Sequence, residues 1–359
     1  MRYRIEKEGG RAAYLQLYAC LRRDIVEGVY AYGERLPSKR LMAEDVGVSV
    51  ITVEHAYAIL CDEGYVESRE RSGYFVIYRR DDFLSANEEL SPSVSMGHPH
   101  AARSEFPFSV LAKTMRRVLS SYGESILVKS PNRGCAELRQ AIAGYLGRTQ
   151  GISVSAEQIV IGSGAEYLYS LIAQLFGKTH TFALESPSYD KIRCVYEAAG
   201  VRCEHLKLGR DGIKSQELVR TSATVLHVTP FHSYPSHVTA DVSKRNEYLA
   251  WARARGGYII EDNYDSELTV SKKNEDTLFA MSGGDRVIYL NTFSHTIAPS
   301  FRVGYLVLPR ALLEEFDSRL GFYSCTVSVF EQYVLAELIS GGDFERHIHR
   351  VRRKRRKQS

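Results

Sequence analysis

The stretch that decides the N-terminal fold reads Ser38-Lys39-Arg40-Leu41-Met42-Ala43-Glu44-Asp45-Val46-Gly47-Val48-Ser49-Val50-Ile51-Thr52-Val53-Glu54-His55-Ala56-Tyr57-Ala58-Ile59-Leu60. Ser38 is a good N-cap, because its hydroxyl can accept one of the backbone N–H groups that a helix leaves unpaired at its start. It opens a short helix through Lys39, Arg40, Leu41 and Ala43. Gly47-Val48 makes a tight turn, and Ser49 caps a second helix. The spacing predicts that helix's buried face at Val50, Val53, Tyr57 and Leu60. Helix, glycine turn and helix make the helix-turn-helix plan, whose second helix enters the DNA major groove.

On the N-terminal side, Tyr14 to Glu27 places Leu17, Leu21 and Ile25 on one helical stripe, with Tyr14 and Tyr18 beside it; Gly28 ends it. On the C-terminal side, Tyr65–Arg69 and Tyr74–Tyr78 read as a β-hairpin with Arg71-Ser72-Gly73 at its tip. Such a wing carries Arg71 towards the DNA backbone or minor groove. A three-helix packing module with a hairpin shares the bare outline. The fuller string is more specific: Leu36-Pro37-Ser38-Lys39-Arg40, Val48-Ser49-Val50-Ile51-Thr52-Val53, Ala56-Tyr57, Leu60, Glu63-Gly64-Tyr65 and Gly73-Tyr74-Phe75-Val76. It resembles the GntR-type winged helix. That resemblance implies double-stranded operator DNA as a partner, with Ser38, Lys39, Arg40, Ser49, Thr52, His55 and Arg71 as contact residues. The family usually carries Arg after the recognition-helix serine, where this chain has Val50. Glu54 also puts a negative charge on that helix, unfavourable beside phosphate.

The chain has 359 residues, 44% of them hydrophobic, which favours two or three packed domains. No run of about 18 apolar residues suggests a membrane span, and Met1 to Glu8 shows no secretory h-region. Six cysteines (Cys20, Cys61, Cys135, Cys194, Cys203, Cys325) are scattered without a C-x-x-C pair, fitting a reducing cytoplasm with neither zinc nor disulfides. The formal charge of +4 is uneven: residues 346–357 hold eight Arg or Lys and no acid, so the rest is net acidic. Residues 1–80 hold thirteen basic and twelve acidic side chains, so a nucleic-acid surface there must come from local clustering. The basic run reads as a solvated helix start or a chain cut short, with an auxiliary electrostatic DNA contact as the sharper reading.

Residues 81–104 lack periodicity and read as a polar linker. His98 and His100 within it have no third ligand nearby and are expected to be loop histidines rather than a metal site. From residue 105, helical stretches alternate with apolar runs: Gln158–Ile161, His180–Leu184, Thr224–Val228, Gly257–Ile260 and Val287–Leu290. These suit buried parallel strands of an α/β sheet, where ligands bind beyond the strand carboxyl ends. Gly162-Ser163-Gly164-Ala165-Glu166 follows the first run and opens a helix, exposing N–H groups suited to phosphate; many tight strand-to-helix turns also need glycine. Tyr189 offers a ring for stacking, or is an ordinary surface tyrosine. Asp262 at a strand end can keep a pyridinium nitrogen protonated and Tyr264 can bond a phenolic oxygen. Acid clusters there also serve Mg²⁺.

Asn291-Thr292-Phe293-Ser294-His295-Thr296-Ile297-Ala298-Pro299-Ser300-Phe301-Arg302-Val303-Gly304-Tyr305 completes the set. In order, these segments resemble fold-type I aminotransferases, and most of all the MocR subgroup of GntR regulators, which fuse a winged helix to such a domain. The implied fold is an α/β large domain, fold-type I PLP-transferase-like with a mostly parallel sheet, preceded by an α+β winged helix-turn-helix domain. Its divisions are 1–80 (DNA-binding), 81–104 (linker), 105–345 (aminotransferase-like) and 346–359 (basic tail). The resemblance implies pyridoxal phosphate (PLP) as the ligand: Gly164 and Ala165 cradle its phosphate with Arg302, Tyr189 stacks on the ring, Asp262 pairs with the pyridine nitrogen and Tyr264 with the phenolic oxygen.

His295 stands where the Schiff-base lysine belongs. An imidazole holds no stable Schiff base, so PLP is expected to bind non-covalently at most and no residue is assigned as catalytic. Glu166 stands where an amide is usual, His237 replaces a glycine of a Pro-x-Gly turn, and the chain stops at Ser359, before the family's small C-terminal domain. The expected protein is a cytoplasmic, homodimeric transcriptional regulator whose degenerate domain senses PLP or another small anionic effector. The alternatives are a PLP-dependent aminotransferase anchored by Lys191, and a truncated, non-functional regulator.

Overall fold

The computed structural model describes residues 3, 5, 12–69, 72–78, 106–264, 266–268 and 276–358. Arg71, the 81–104 linker with His98 and His100, and Asp265 lie outside the described residues. The chain divides into two compact units: Met1–Arg103 with Pro107–Ser120, and Ser104–Phe106 with Ser121–Ser359.

The first unit builds α1 (Ala13–Val26), α2 (Lys39–Val46) and α3 (Val50–Asp62), then a hairpin of β1 (Val66–Arg69) and β2 (Gly73–Val76). Most of α4 (Phe108–Tyr122) belongs with it, and the Arg116 guanidinium sits 5.2 Å over the Tyr65 ring. The expected α1 stripe is the buried one: Leu17, Leu21 and Ile25 are at most 2% exposed. Both serine caps form, Ser38 Oγ accepting from Leu41 N–H at 3.3 Å and Ser49 Oγ from Thr52 N–H at 3.1 Å. Gly47 closes α2 at φ +73°, a left-handed turn that glycine enters without steric cost. The expected buried face of α3 needs one correction: Val53, Ala56, Tyr57 and Leu60 are buried, whereas Val50 is 42% exposed. A three-residue step falls about 60° short of a full turn, so Val50 at the helix start rotates off the stripe.

The second unit is a seven-stranded sheet in the order β3-β9-β8-β7-β6-β4-β5, with β3 (Ile159–Gly162), β4 (Thr181–Ser186), β5 (Arg202–Lys207), β6 (Val225–Val228), β7 (Tyr258–Asp262), β8 (Val287–Thr292) and β9 (Gly304–Val307). Strands β4 to β8 pair in parallel; β9 runs antiparallel to both β3 and β8. Strands β3, β6, β8 and β9 are buried along their whole length, the condition under which continuous apolar runs are stable as strands. Helices α5 (Ala136–Gln150), α6 (Ala165–Phe176), α7 (Asp190–Ala198), α8 (Ser215–Arg220), α9 (Val242–Arg255), α10 (Leu278–Ser282), α11 (Leu313–Leu320), α12 (Val329–Ser340) and α13 (Asp343–Gln358) complete it. Helix α6 sends Leu168, Ile172 and Phe176 into a core shared with Val160, Phe182, Ile288 and Leu306.

The basic run near the C-terminus forms the last turns of α13. Phe344, Ile348 and Val351 are buried on one side of it. Arg352 Nε and Arg355 Nη1 donate to the carbonyls of Glu267 and Leu268 at 2.6 and 3.1 Å. Among the described residues no helix is long and apolar enough to cross a membrane, and no group of three or more His, Cys, Asp and Glu could hold a metal.

Candidate functional site

In the first unit, the cap serines and the α3 surface define the candidate nucleic-acid interface. Arg40 and His55 are exposed; the His55 ring meets Tyr14 edge-on with centroids 5.7 Å apart. Thr52 Oγ1 bonds Ser49 Oγ at 2.8 Å, so the cap and the next helical turn orient each other. Tyr57 donates its hydroxyl to the Pro37 carbonyl at 2.8 Å, fixing α3 against the loop ahead of α2. Lys39 Nζ lies 2.8 Å from Glu54 Oε1. That hydrogen bond holds the Glu54 carboxyl below its ordinary range and raises Lys39. The acidic departure on the recognition helix is therefore neutralised within the unit, and Lys39 is already engaged.

In the second unit, the predicted ligand residues collect beyond the strand ends. Asp262 closes β7 at 2% exposure. One oxygen, Oδ2, accepts from the Tyr169 hydroxyl of α6 and lies 3.6 Å from His227 Nε2 of β6. The other, Oδ1, is buried with no hydrogen-bond partner among the described residues, and so is His227 Nε2. His227 Nδ1 in turn pairs with Tyr196 at 2.8 Å. An unpaired buried carboxylate oxygen costs on the order of 1–3 kcal/mol or more, so this oxygen is poised for a donor. Beside it, Tyr264 donates its hydroxyl to the His232 carbonyl at 3.1 Å, and its ring meets His295 with centroids 5.4 Å apart. His295 is exposed. Glu185, at the end of β4, is buried against Ser233 Oγ at 2.6 Å; desolvation above all, with Asp262 adding, pushes its carboxyl up to about 8.

At the N-terminus of α6, Gly164 takes φ +85° as the N-cap. A side chain there would meet the Arg302 guanidinium, whose Nη2 lies 2.9 Å from the Cβ position. Arg302 is paired with Glu166, and the other Glu166 oxygen accepts from Lys191 at 3.1 Å. Partial burial opposes the charged Glu166, but its own backbone amide, Lys191 and Arg302 outweigh that and lower its carboxyl below the ordinary value. Lys191, the alternative anchor, also lies 5.9 Å from the Tyr189 ring, which is 39% exposed. His237 adopts φ +56°, the left-handed backbone that glycine takes more easily. A separate cavity lined by Arg133, Tyr167, Asp317 and Tyr323, among others, includes none of these ligand residues, and its Arg133 is bound to Asp317.

Tyr169, His227, Glu185 and the Arg302–Glu166–Lys191 chain escaped the sequence reading. His227 sits inside an apolar run and Tyr169 inside an apolar helix; each looks like ordinary core.

Comparisons with known proteins decide the family. A model of bacterial regulatory proteins of the gntR family matches residues 13–76, and one of aminotransferase class I and II matches residues 95–359. The chain is 33% identical over 356 residues to the uncharacterized HTH-type transcriptional regulator YdeL of Bacillus subtilis (strain 168), covering 96% of this chain and 77% of the relative. It is 29% identical over 379 residues to the probable rhizopine catabolism regulatory protein MocR of Rhizobium meliloti, covering 97% and 76%. The chain belongs to the MocR subgroup of GntR-family transcriptional regulators. This MocR-type regulator carries a winged helix-turn-helix ahead of a fold-type I aminotransferase-like domain. Pyrococcus horikoshii kynurenine aminotransferase matches with a TM-score of 0.64 at 26% identity, covering 69% of this chain. The regulator spans 64% of that enzyme's length, under two thirds.

Proposed function

We propose that this DNA-binding regulator contacts operator duplex as a homodimer in the cytoplasm, and that its second unit senses a pyridine-ring ligand of the PLP kind without a covalent bond. Ser38, Lys39, Arg40, Ser49, Thr52, His55 and Arg71 are the DNA contacts in this reading. The first six lie on a helix-turn-helix whose second helix presents an exposed N-terminal turn, the part that meets base edges in the major groove.

The observation that carries the sensing role is the lone Oδ1 of Asp262, buried at the end of β7 with no hydrogen-bond partner among the described residues. A protonated ring nitrogen would satisfy it, Tyr264 would turn its hydroxyl to the ring oxygen, and Tyr189 would cover one face. When bound, PLP supplies an aldehyde that primary amines attack. His295 offers an imidazole there, so the residues hold and orient a ring without fixing it. The phosphate end fits less well: Gly164 and Ala165 form the start of α6, yet Arg302 lies over Gly164 and is already bound by Glu166. A ligand shifts a regulator only through different affinities for two states, so binding at the cleft must change DNA affinity.

The test is fluorescence anisotropy with duplexes from the protein's own promoter region, repeated with pyridine-ring ligands added. Salt-dependent, sequence-selective binding that a ring ligand changes supports the proposal. Failure to retain any such duplex, or a ligand fixed to a peptide by borohydride, contradicts it.

A further inference from the structure

We propose that Glu166 is a built-in occupant of the phosphate end of the cleft, so that the site selects pyridine-ring ligands carrying an uncharged group where PLP carries its phosphate. This rests on the ring-binding reading above. A phosphate at this position would need the positive start of α6, a guanidinium and an ammonium. Glu166 takes all of them. It lies in the first turn of α6, at the positive end of that helix, with Arg302 holding one carboxylate oxygen and Lys191 the other. Arg302 has closed over the N-cap, its Nη2 2.9 Å from where a Gly164 side chain would start.

The charges decide which ligand fits. Arg302 and Lys191 supply two positive charges and Glu166 removes one. A phosphate dianion must either pull Arg302 and Lys191 away from Glu166 or sit beside a carboxylate that keeps them, and like charges in close contact are strongly disfavoured. An uncharged hydroxymethyl group meets neither cost. At the ring end nothing changes: the unpartnered Asp262 Oδ1 still receives a protonated pyridine nitrogen, and Tyr169, one helical turn beyond Glu166 on α6, holds the other Asp262 oxygen. One helix thus carries the residue that closes the phosphate end and the residue that braces the ring end.

The experiment uses the full chain and probes without an aldehyde, so that surface lysines cannot trap them: pyridoxine, pyridoxine 5′-phosphate and inorganic phosphate. Isothermal titration gives the affinities for wild type, Glu166→Gln and Glu166→Ala, and unfolding midpoints confirm that each variant is folded. Wild type is expected to bind pyridoxine at least as tightly as its phosphate ester. Both variants should bind the ester about tenfold more tightly, leave pyridoxine within about threefold, and gain affinity for inorganic phosphate. Wild type preferring the ester by tenfold, or variants gaining nothing for either phosphate probe, overturns the proposal. The inorganic phosphate arm separates the two readings. If no protein binds pyridoxine but the variants gain phosphate, ring binding fails and the blocking role of Glu166 stands. If pyridoxine binds and the phosphate gain is absent, only the role of Glu166 falls.

Discussion

The carboxylates of the recognition helix and of the sheet's strand ends are held in opposite ways. On the DNA-binding side, Glu54 of the recognition helix and Lys39 of α2 pair in solvent, with side chains 52% and 33% exposed, and the cap hydroxyls are used locally. Around the strand ends, Asp262 and Glu185 are fully enclosed, one with an unpartnered oxygen and the other with its carboxyl pushed up to about 8. A surface pair is worth little because water screens it, whereas an enclosed group is held only by what surrounds it. The DNA surface can therefore be retuned residue by residue, while the strand-end carboxylates hold specificity in groups that are costly to leave unsatisfied.

The largest expected effect tests whether the first unit stands on its core rather than on its surface charges. Leu60→Ala, at a side chain with no exposure, is expected to destabilise that unit by roughly 3 kcal/mol and to abolish duplex binding, read by thermal unfolding and anisotropy. Retained binding at full affinity would break the comparison on that side.

Next comes the enclosed carboxylate. Glu185 has a folded value of about 8 against an ordinary 4.5, so the folded state holds a proton the unfolded chain has released between those limits. Its contribution is fully present below about pH 4.5 and is lost as pH rises through about 8. Chemical denaturation of the second unit should show Glu185 costing roughly 2 kcal/mol between pH 6 and 8, and Glu185→Gln should flatten that slope. An unchanged slope would place the carboxyl in contact with water.

Asp262→Asn sharpens the contrast by neutralising the unpartnered oxygen. Pyridoxine affinity should fall about tenfold with duplex affinity unchanged, measured on the same preparation by titration and anisotropy. The smallest effect belongs to the surface pair: Glu54→Gln frees Lys39 for phosphate and should tighten duplex binding about threefold, with a steeper salt dependence. A loss of affinity would mean that Glu54 contacts DNA directly.

Much of the first unit was legible because its signals are local. Ser38, Gly47 and Ser49 act on backbone groups a few residues away, so caps and turn follow from sequence order alone. The misplaced Val50 shows the limit, since a spacing rule cannot see that the first turn of a helix rotates off the core. In the second unit, five apolar runs were readable and became β3, β4, β6, β7 and β8. Strand β5 was missed because it is an edge strand with mixed burial, and β9 because its four buried residues are few and begin inside a segment read as a ligand loop.

Residue identity alone carries the order of the two folds, the family and the imidazole at the anchor position, because side-chain chemistry needs no coordinates. Which partners those groups keep is set by folding. Glu166 meets Arg302 across 136 residues, and Tyr169 meets Asp262 across 93. The sheet order sets such pairings by placing strand ends and the α6 start side by side, and no periodicity along the chain encodes that neighbourhood.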